Sequence, residues 1–99
     1  MEADLERRFG GLARLYGAAG ANKIRAAHVV VVGLGGVGSW AAEALARSGV
    51  ARVTLIDLDH IAESNINRQI HALDSTVGQA KVLAMQERIA HINPQCEVV

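Results

Sequence analysis

The chain has 99 residues, 51% of them hydrophobic, so it has the size and composition of one small domain with an apolar core. Ten Lys and Arg side chains balance ten Asp and Glu side chains, which predicts no broad attraction to nucleic acid or membranes, although a local nucleic-acid surface is not excluded. The single cysteine, Cys96, excludes an intrachain disulfide framework. This cysteine usage favours a cytoplasmic setting. No signal peptide and no apolar window of about 20 residues is visible, so we expect no membrane contact in this segment.

The first predicted unit, residues 1–27, is helical. Glycines at positions 10, 11, 17 and 20 interrupt it, which predicts short helices rather than one long helix. The β-branched run His28–Val32 predicts a strand buried on both faces. A helix is expected from Gly36 to about Ser48–Gly49, and its buried stripe is predicted to contain Val37, Trp40, Ala41, Ala44 and Leu45. Glu43 and Arg47 are expected to pair weakly on its outer side.

The second predicted unit, residues 28–99, continues with a strand over 52–57 and a polar loop over 60–76. That loop is longer than an ordinary connection, which favours a functional role. A helix is expected over 77–92, with Val82, Met85, Ile89 and Ile92 on its buried face, and a third strand near Cys96. This order predicts an α/β fold, a Rossmann-like parallel sheet with helices on both faces. We expect only its first part here, as the N-terminal portion of a larger protein.

Three glycines follow the first strand in a pattern that is typical of nucleotide-binding loops. Gly33, Gly35 and Gly38 form G-x-G-x-x-G, and Asp57 lies 19 residues after Gly38. Such glycines permit a tight turn, the approach of phosphate and close packing of the helix, while the aspartate binds ribose hydroxyls. The motif alone leaves open which nucleotide binds, and an NAD-dependent oxidoreductase is one alternative. A turn kept only for packing is another.

Charged residues after the second strand favour a triphosphate over a dinucleotide. Asp59 adds a second carboxylate that suits Mg²⁺, and Arg68 and Lys81 are cations able to offset charge that develops during phosphoryl or adenylyl transfer. Each has a simpler interpretation. Asp59 could cap a helix, and the two cations could be solvated surface charges.

The ordered motifs resemble those of the ubiquitin-activating-type adenylating enzymes, which include the ThiF and MoeB proteins. GLGGVGSW, LIDLDHIAESNINRQ and VGQAK are similar to that family's G-x-G-G-x-G, D-x-D, N-x-x-R-Q and lysine motifs. The resemblance implies ATP and Mg²⁺ as cofactors and Asp59 as the metal-binding residue. It implies a nucleotide-binding set of Gly33, Gly35, Gly36, Gly38, Asp57, Asp59, Ser64 and Gln69, and a catalytic set of Asn65, Arg68 and Lys81.

Two further segments resemble one subfamily, the tRNA threonylcarbamoyladenosine dehydratases. These are RFGGLARLYG and GSWAAEALARSGV. The resemblance implies a tRNA substrate, a homodimer, a possible sulfur-transfer partner, and a catalytic arginine that reaches the partner's ATP site. Arg14 is the best match, with Arg8 the alternative and a plain surface arginine the simpler interpretation.

The reaction that the resemblance implies is ATP-dependent activation of the threonylcarbamoyl carboxylate as an adenylate, followed by intramolecular ring closure. An alternative within the family is adenylation of a ubiquitin-like sulfur carrier. A further alternative is that the chain is truncated and inactive alone, because it lacks a substrate platform and a further aspartate. No enzyme nucleophile is expected. Cys96 is interpreted as a core residue, and His28, His60, His71 and His91 as surface or strand-edge residues.

Overall fold

The computed structural model describes residues 4–98, so the outer ends of the two predicted units, 1–27 and 28–99, lie outside the described residues. Its elements in chain order are helices α1 (Leu5–Phe9) and α2 (Gly11–Ala26), strand β1 (His28–Val32), helix α3 (Gly38–Arg47), strand β2 (Arg52–Ile56), a 3₁₀ turn (Glu63–Asn65), helix α4 (Lys81–Ile92) and strand β3 (Glu97–Val98). The predicted order of strands and helices is confirmed, with boundaries shifted by at most four residues.

The three strands form one parallel sheet in the order β1-β2-β3. The register between β1 and β2 runs from His28 opposite Arg52 to Val32 opposite Ile56. Both strands therefore end at the same edge of the sheet, and the segments after Val32 and Ile56 lie side by side. This edge is where ligands bind in open α/β sheets. The predicted α/β fold with a parallel sheet is confirmed.

The core lies on one face of this sheet, where α3 and α4 cover it. Its buried members are Val31, Leu34, Ala42, Ala46, Val50, Val53, Leu55, Met85 and Ile89. The other face carries alternate strand residues, and Val32 there is 75% exposed. The strand His28–Val32, predicted to be buried on both faces, is thus buried on one face among residues 4–98. β-branched residues favour strands in general, so the run predicts a strand but does not show that both of its faces are buried.

The predicted buried stripe of α3 is wrong for four of its five residues, since only Leu45 packs, partly buried, against the core. Val37 is 84% exposed and Trp40 is half-exposed, whereas the buried residues of this helix are Ser39, Ala42, Glu43 and Ala46. The reason is the close approach of the helix to β1. A Cβ built at Gly38 would overlap the carbonyl oxygen of Gly33, so only small side chains fit along this interface. Trp40, the largest apolar residue of α3, consequently lies outside the core.

Glu43, predicted on the outer side of α3, is instead buried between α3 and α4. Its carboxylate accepts a hydrogen bond from Nε of Arg88 on α4, and Nε of Arg47 lies 3.3 Å from its other oxygen. A buried carboxylate is costly unless it is paired, so Arg88 supplies the charge that allows this burial. The pair joins the two helices across the core.

Replacing Arg88 with methionine is expected to lower the free energy of unfolding by about 2–4 kcal/mol, because Glu43 would stay buried beside only the more exposed Arg47. Arg47→Met, its matched control on the same carboxylate, is expected to cost less than about 1 kcal/mol. Urea unfolding of both variants measures the difference. Equal losses would show that burial of Glu43 does not depend on Arg88.

Helix α4 begins at Lys81 rather than at the predicted Val77, because the preceding residues pair with the segment after β2. Gly78 donates to the carbonyl of Ile61, Ile61 donates to that of Gln79, and Lys81 donates to that of Asp59. Gly78 also has a φ of 94°, which a helix does not accommodate. These bonds place the first residue of α4 beside Asp59 at the edge of the sheet.

The N-terminal helices confirm the prediction of short pieces, since α2 breaks at Gly17. Helix α1 is anchored to the α/β unit: Phe9 is buried against Gly49, and Nη1 of Arg8 donates to the carbonyl of Ile92 at 2.9 Å. The first half of α2 is not anchored in this way, and Leu15 and Tyr16 are exposed. The chain therefore presents this half-helix to solvent.

Candidate nucleotide site

The glycine loop connects β1 to α3, and its glycines differ in backbone conformation and in the space beside their Cα atoms. Gly33 has a φ of 88°, which glycine adopts without strain, and its N–H donates to the carbonyl of Ile56 at 2.8 Å. Gly38 lies so close to the backbone of Gly33 that a Cβ at this position would overlap the Gly33 carbonyl oxygen. A Cβ built at Gly35 would contact nothing within 4 Å, and one at Gly36 would lie 3.6 Å from Cγ of Arg68. The loop is thus tight on its inner side and open around Gly35.

Asp57 lies beside this loop, at the end of β2. Its Oδ2 accepts the N–H of Leu34 at 2.7 Å and its Oδ1 accepts the N–H of Asp59 at 2.8 Å. Burial raises the pKa of Asp57, but these two hydrogen bonds and the nearby Lys81 and His71 outweigh it and lower the pKa below its ordinary value. Asp57 is therefore an ionised acceptor at neutral pH that also orders the loop.

A four-residue segment, Arg68–His71, runs along the glycine loop and is called the brace below. Nε1 of Trp40 donates to the carbonyl of Arg68 at 2.8 Å, and the N–H of Ile70 donates to Oγ of Ser39 at 3.3 Å. Oγ of Ser39 in turn donates to the carbonyl of Gly35. The brace therefore connects the long loop to both the glycine loop and the start of α3.

His71 is the last residue of the brace. The prediction that it is a surface or strand-edge residue is wrong. It is 2% exposed, and its Nε2 lies 2.7 Å from the carbonyl oxygen of Leu34, 37 positions earlier. Burial, helped by the nearby Lys81, lowers the pKa of His71, although the bond to Leu34 and the Asp57 carboxylate act in the opposite direction. His71 is therefore neutral at physiological pH.

The lowered pKa of His71 predicts a loss of stability in mild acid. The unfolded chain, with an ordinary histidine pKa of about 6.5, binds a proton that the folded chain resists, so the free energy of unfolding falls as pH drops below about 6.5. The contribution cannot exceed about 1.4 kcal/mol per pH unit. We expect His71→Gln to remove this part of the pH dependence in thermal unfolding and the exposed His91→Gln to leave it unchanged. An unaltered profile in His71→Gln would contradict the assignment.

Three of the predicted loop residues form a local network near the brace. Nη1 of Arg68 donates to the carbonyl of Ser64 and to Oδ1 of Asn67, both at 3.0 Å. Oδ1 of Asn65 accepts the N–H of Ala62 at 2.9 Å, which holds the 3₁₀ turn. Ser64 contributes its backbone carbonyl to this network, and its side chain is exposed. These contacts place the exposed Arg68 beside Gly36 of the glycine loop.

Asp59 and Lys81 lie beside Asp57, while Gln69 belongs to the brace. Lys81 is 7% exposed, and its charge helps to lower the pKa of Asp57. Asp59 is exposed and does not cap a helix, since the residues that cap the 3₁₀ turn and α4 are Ala62 and Ala80. Oε1 of Gln69 is buried without a hydrogen-bond partner among residues 4–98. In the same range, no group of three or more His, Cys, Asp or Glu could hold a metal ion.

Two predicted residues lie away from this cluster. Arg14 is on the exposed half of α2, and none of the hydrogen bonds and ion pairs among the described residues involves its side chain. Cys96 is half-buried against the core, and burial raises the pKa of its thiol, which suits a packing residue. Within residues 4–98, no helix is both long and apolar enough to cross a membrane.

A cavity of about 860 Å³ lies elsewhere, between α1, α4 and residues 71–79. Its arginines are already engaged: Arg8 donates to the carbonyl of Ile92, and Arg47 and Arg88 pair with Glu43. The glycine loop, where unsatisfied donors and cations meet, is therefore a better candidate for a nucleotide site than this cavity.

Residue by residue, the structure brings together most of what the motifs predicted. The residues it places around one edge of the sheet are Gly33, Gly35, Gly36, Gly38, Asp57, Asp59, Ser64, Asn65, Arg68, Gln69 and Lys81. Ser39 and His71, which hold the loop, were not predicted from the sequence. The serine lies within the helical pattern, and the histidine has no motif spacing, so neither gave a signal.

Comparisons with known proteins agree with this geometry. The tRNA threonylcarbamoyladenosine dehydratases of Escherichia coli and Haemophilus influenzae are 59% and 53% identical over 92 and 93 residues, which cover 93% and 94% of this chain. The chain spans about a third of the length of these relatives (34% and 36%). A crystal structure of the E. coli dehydratase in complex with ATP matches 100% of this chain and 41% of its own, at 55% identity and a TM-score of 0.94. Residues 7–99 match the description "ThiF family", and the chain belongs to that family.

Proposed function

We propose that this chain forms the ATP-binding part of an enzyme that dehydrates threonylcarbamoyladenosine in tRNA through adenylation of its carboxylate. The observation that carries the proposal is the meeting of the open glycine loop, the ionised Asp57 and the cations Arg68 and Lys81 at one edge of the sheet. The identity of 59% with the E. coli dehydratase supports the choice of substrate.

The residues at this edge fit ATP. The open space at Gly35 admits phosphate, Asp57 has acceptor capacity for ribose hydroxyls, and the buried Oε1 of Gln69 lacks a partner that a bound nucleotide could supply. Mg²⁺ is usually held by one or two carboxylates together with substrate phosphates, and the exposed Asp59 suits that role. The nucleotide-binding residues proposed are thus the glycines, Asp57, Asp59, Ser64 and Gln69.

Asn65, Arg68 and Lys81 are the proposed catalytic residues of this chain. A carboxylate is a poor electrophile, and transfer of adenylate to its oxygen provides a leaving group for ring closure. Negative charge develops on phosphate oxygens during that transfer, and fixed cations stabilise it most strongly where water is excluded. Lys81 is buried enough to act in this way, while Arg68 has an exposed guanidinium that can turn from Ser64 toward phosphate.

The competing function is adenylation of a protein carrier. The molybdopterin-synthase adenylyltransferase of Salmonella typhimurium is 43% identical to this chain over 79 residues, below the 59% of the E. coli dehydratase. A tRNA substrate would place the activity in the cytoplasm, and a sulfur-transfer protein remains a proposed partner. The experiment below separates the two substrates.

The test uses a hybrid enzyme in which this chain replaces the matched third of the E. coli dehydratase. We expect ATP–pyrophosphate exchange that depends on tRNA carrying threonylcarbamoyladenosine, and appearance of the cyclic nucleoside in that tRNA. The unmodified E. coli enzyme is the positive control. Exchange that depends on a ubiquitin-like carrier instead would favour the competing function, and NAD reduction without exchange would reject adenylation.

Arg14 is proposed to act in the ATP site of a second subunit of a homodimer. It is exposed on the half-helix that carries Leu15 and Tyr16, both exposed apolar residues. Hybrid subunits with Arg14→Ala and with Lys81→Ala are each expected to be inactive. Mixing them should restore about a quarter of the activity, since half of the dimers contain one intact site. Arg8→Ala serves as the control for the alternative arginine, and failure of the mixture to recover activity would contradict action across a dimer.

A further inference from the structure

The backbone of Leu34 is the point where the glycine loop is held from two directions, one through each of its two peptide groups. Its N–H donates to Oδ2 of Asp57, and its carbonyl oxygen lies 2.7 Å from Nε2 of His71. Leu34 itself is completely buried, so neither group can exchange its partner for water. A carbonyl oxygen only accepts, so Nε2 of His71 must carry the proton and donate it.

The carbonyl of Leu34 determines where the next N–H points. In a trans peptide the C=O and N–H bonds are antiparallel, and there is no cis peptide bond within residues 4–98. Holding the carbonyl of Leu34 on His71 therefore directs the N–H of Gly35 to the opposite side. That N–H donates to no acceptor among residues 4–98, and the space around Gly35 is open.

Without His71 this orientation would not be secured. A peptide plane flips when ψ of one residue and φ of the next change together, and a glycine in the second position lowers the steric cost of that flip. The residue after Leu34 is Gly35, so the loop contains the residue that permits the wrong orientation. A flipped peptide would turn the carbonyl of Leu34, rather than the N–H of Gly35, toward an anion.

We propose that His71 is a positioning residue of the nucleotide site: as the neutral Nε2–H tautomer it holds the carbonyl of Leu34 and so aims the N–H of Gly35 at a phosphate of ATP. The proposal rests on the proposed function for the identity of the ligand. The arrangement of His71, Leu34 and Gly35 stands without it. His71 does not touch the nucleotide and acts only through the peptide.

Two measurements test the arrangement without any nucleotide. Long-range ¹H–¹⁵N NMR spectra of the wild-type chain should show His71 as the Nε2–H tautomer; the Nδ1–H tautomer would overturn the proposal, because Nε2 would have no proton to donate. In amide hydrogen exchange, His71→Leu should increase the exchange rate in the glycine loop more than in the core. Ile89→Val, a core change away from the loop, is the control for general destabilisation.

Nucleotide binding tests the consequence. Calorimetric titration of the chain with ATP should show affinity falling on the order of 10- to 100-fold in His71→Leu, the effect of losing one hydrogen bond to a charged group. His71→Gln, which keeps an N–H donor near the position of Nε2, should recover most of the affinity, and Ile89→Val should bind as the wild type does. If the wild type binds no ATP, the proposed function fails while the NMR result still decides the role of His71. If ATP binds equally to all four chains, His71 has no positioning role.

Discussion

Replacing Gly38 with alanine is expected to lower the free energy of unfolding by about 3 kcal/mol or more, and to abolish ATP binding at the same time. The added Cβ would overlap the carbonyl oxygen of Gly33 and also lie 3.6 Å from Cγ1 of Val31. The obstacle is backbone rather than a flexible side chain, so α3 would have to move away from β1. Such a shift would break the alignment of the glycine loop with the start of the helix.

Gly35→Ala is the matched comparison within the same motif. Its Cβ would meet nothing within 4 Å, so the free energy of unfolding should change by less than about 0.5 kcal/mol. The methyl group would nevertheless occupy the open space that we assign to phosphate, and ATP affinity should fall by about tenfold or more. Thermal unfolding and calorimetric titration of both variants measure the two effects separately. Stable folding of Gly38→Ala, or unchanged ATP binding by Gly35→Ala, would contradict the roles assigned to these glycines.

The features predicted well from the sequence are those that a local run or motif determines by itself. The run His28–Val32 and the glycines after it define the strand and the turn locally, and the spacing to Asp57 follows from the length of the intervening helix and strand. The Asp57 contact with Leu34 joins residues 23 positions apart, yet it needs only that the two parallel strands end at the same edge.

The wrong predictions concern positions whose burial depends on packing between residues that are far apart in the sequence. Apolar periodicity placed Val37 and Trp40 in the core because it scores hydrophobicity, whereas the close approach at Gly38 selects small side chains. Glu43 was placed outside because its partner Arg88 is 45 positions away and invisible to helix spacing.

His71 shows the same limit at the site itself. A histidine among Ile70, Ala72 and Leu73 has no spacing that marks it as functional, and its partner is a backbone carbonyl that the sequence cannot reveal. Arg68 was found from its charge after the second strand and Gln69 from family resemblance, but the brace that they begin became visible only from its contacts with Trp40 and Ser39. Motifs therefore identified the groups that we propose face the ligand, and the structure identified those that hold the loop.

Removing the charge of Lys81 is expected to lower the rate of ATP–pyrophosphate exchange by about 10²- to 10³-fold in the hybrid enzyme, with a smaller effect on ATP affinity. The side chain is 7% exposed, so its ammonium acts close to Asp57 with little screening by water. Charge that develops only during adenylyl transfer is stabilised by such a fixed cation more than the ground state is. The loss should therefore appear mainly in kcat.

Lys81→Met is the informative substitution, because methionine keeps most of the buried aliphatic stem while removing the charge. Lys23→Met, at an exposed position of α2, is the control for loss of a lysine as such and should retain full exchange activity. Lys81→Arg is expected to remain impaired, since a planar guanidinium does not replace a compact ammonium in a buried position. Retention of exchange by Lys81→Met would show that packing, rather than charge, explains why a lysine stands at the start of α4. Loss in Lys81→Met together with normal unfolding would assign the lysine to the chemistry, because the fold would then be intact without it.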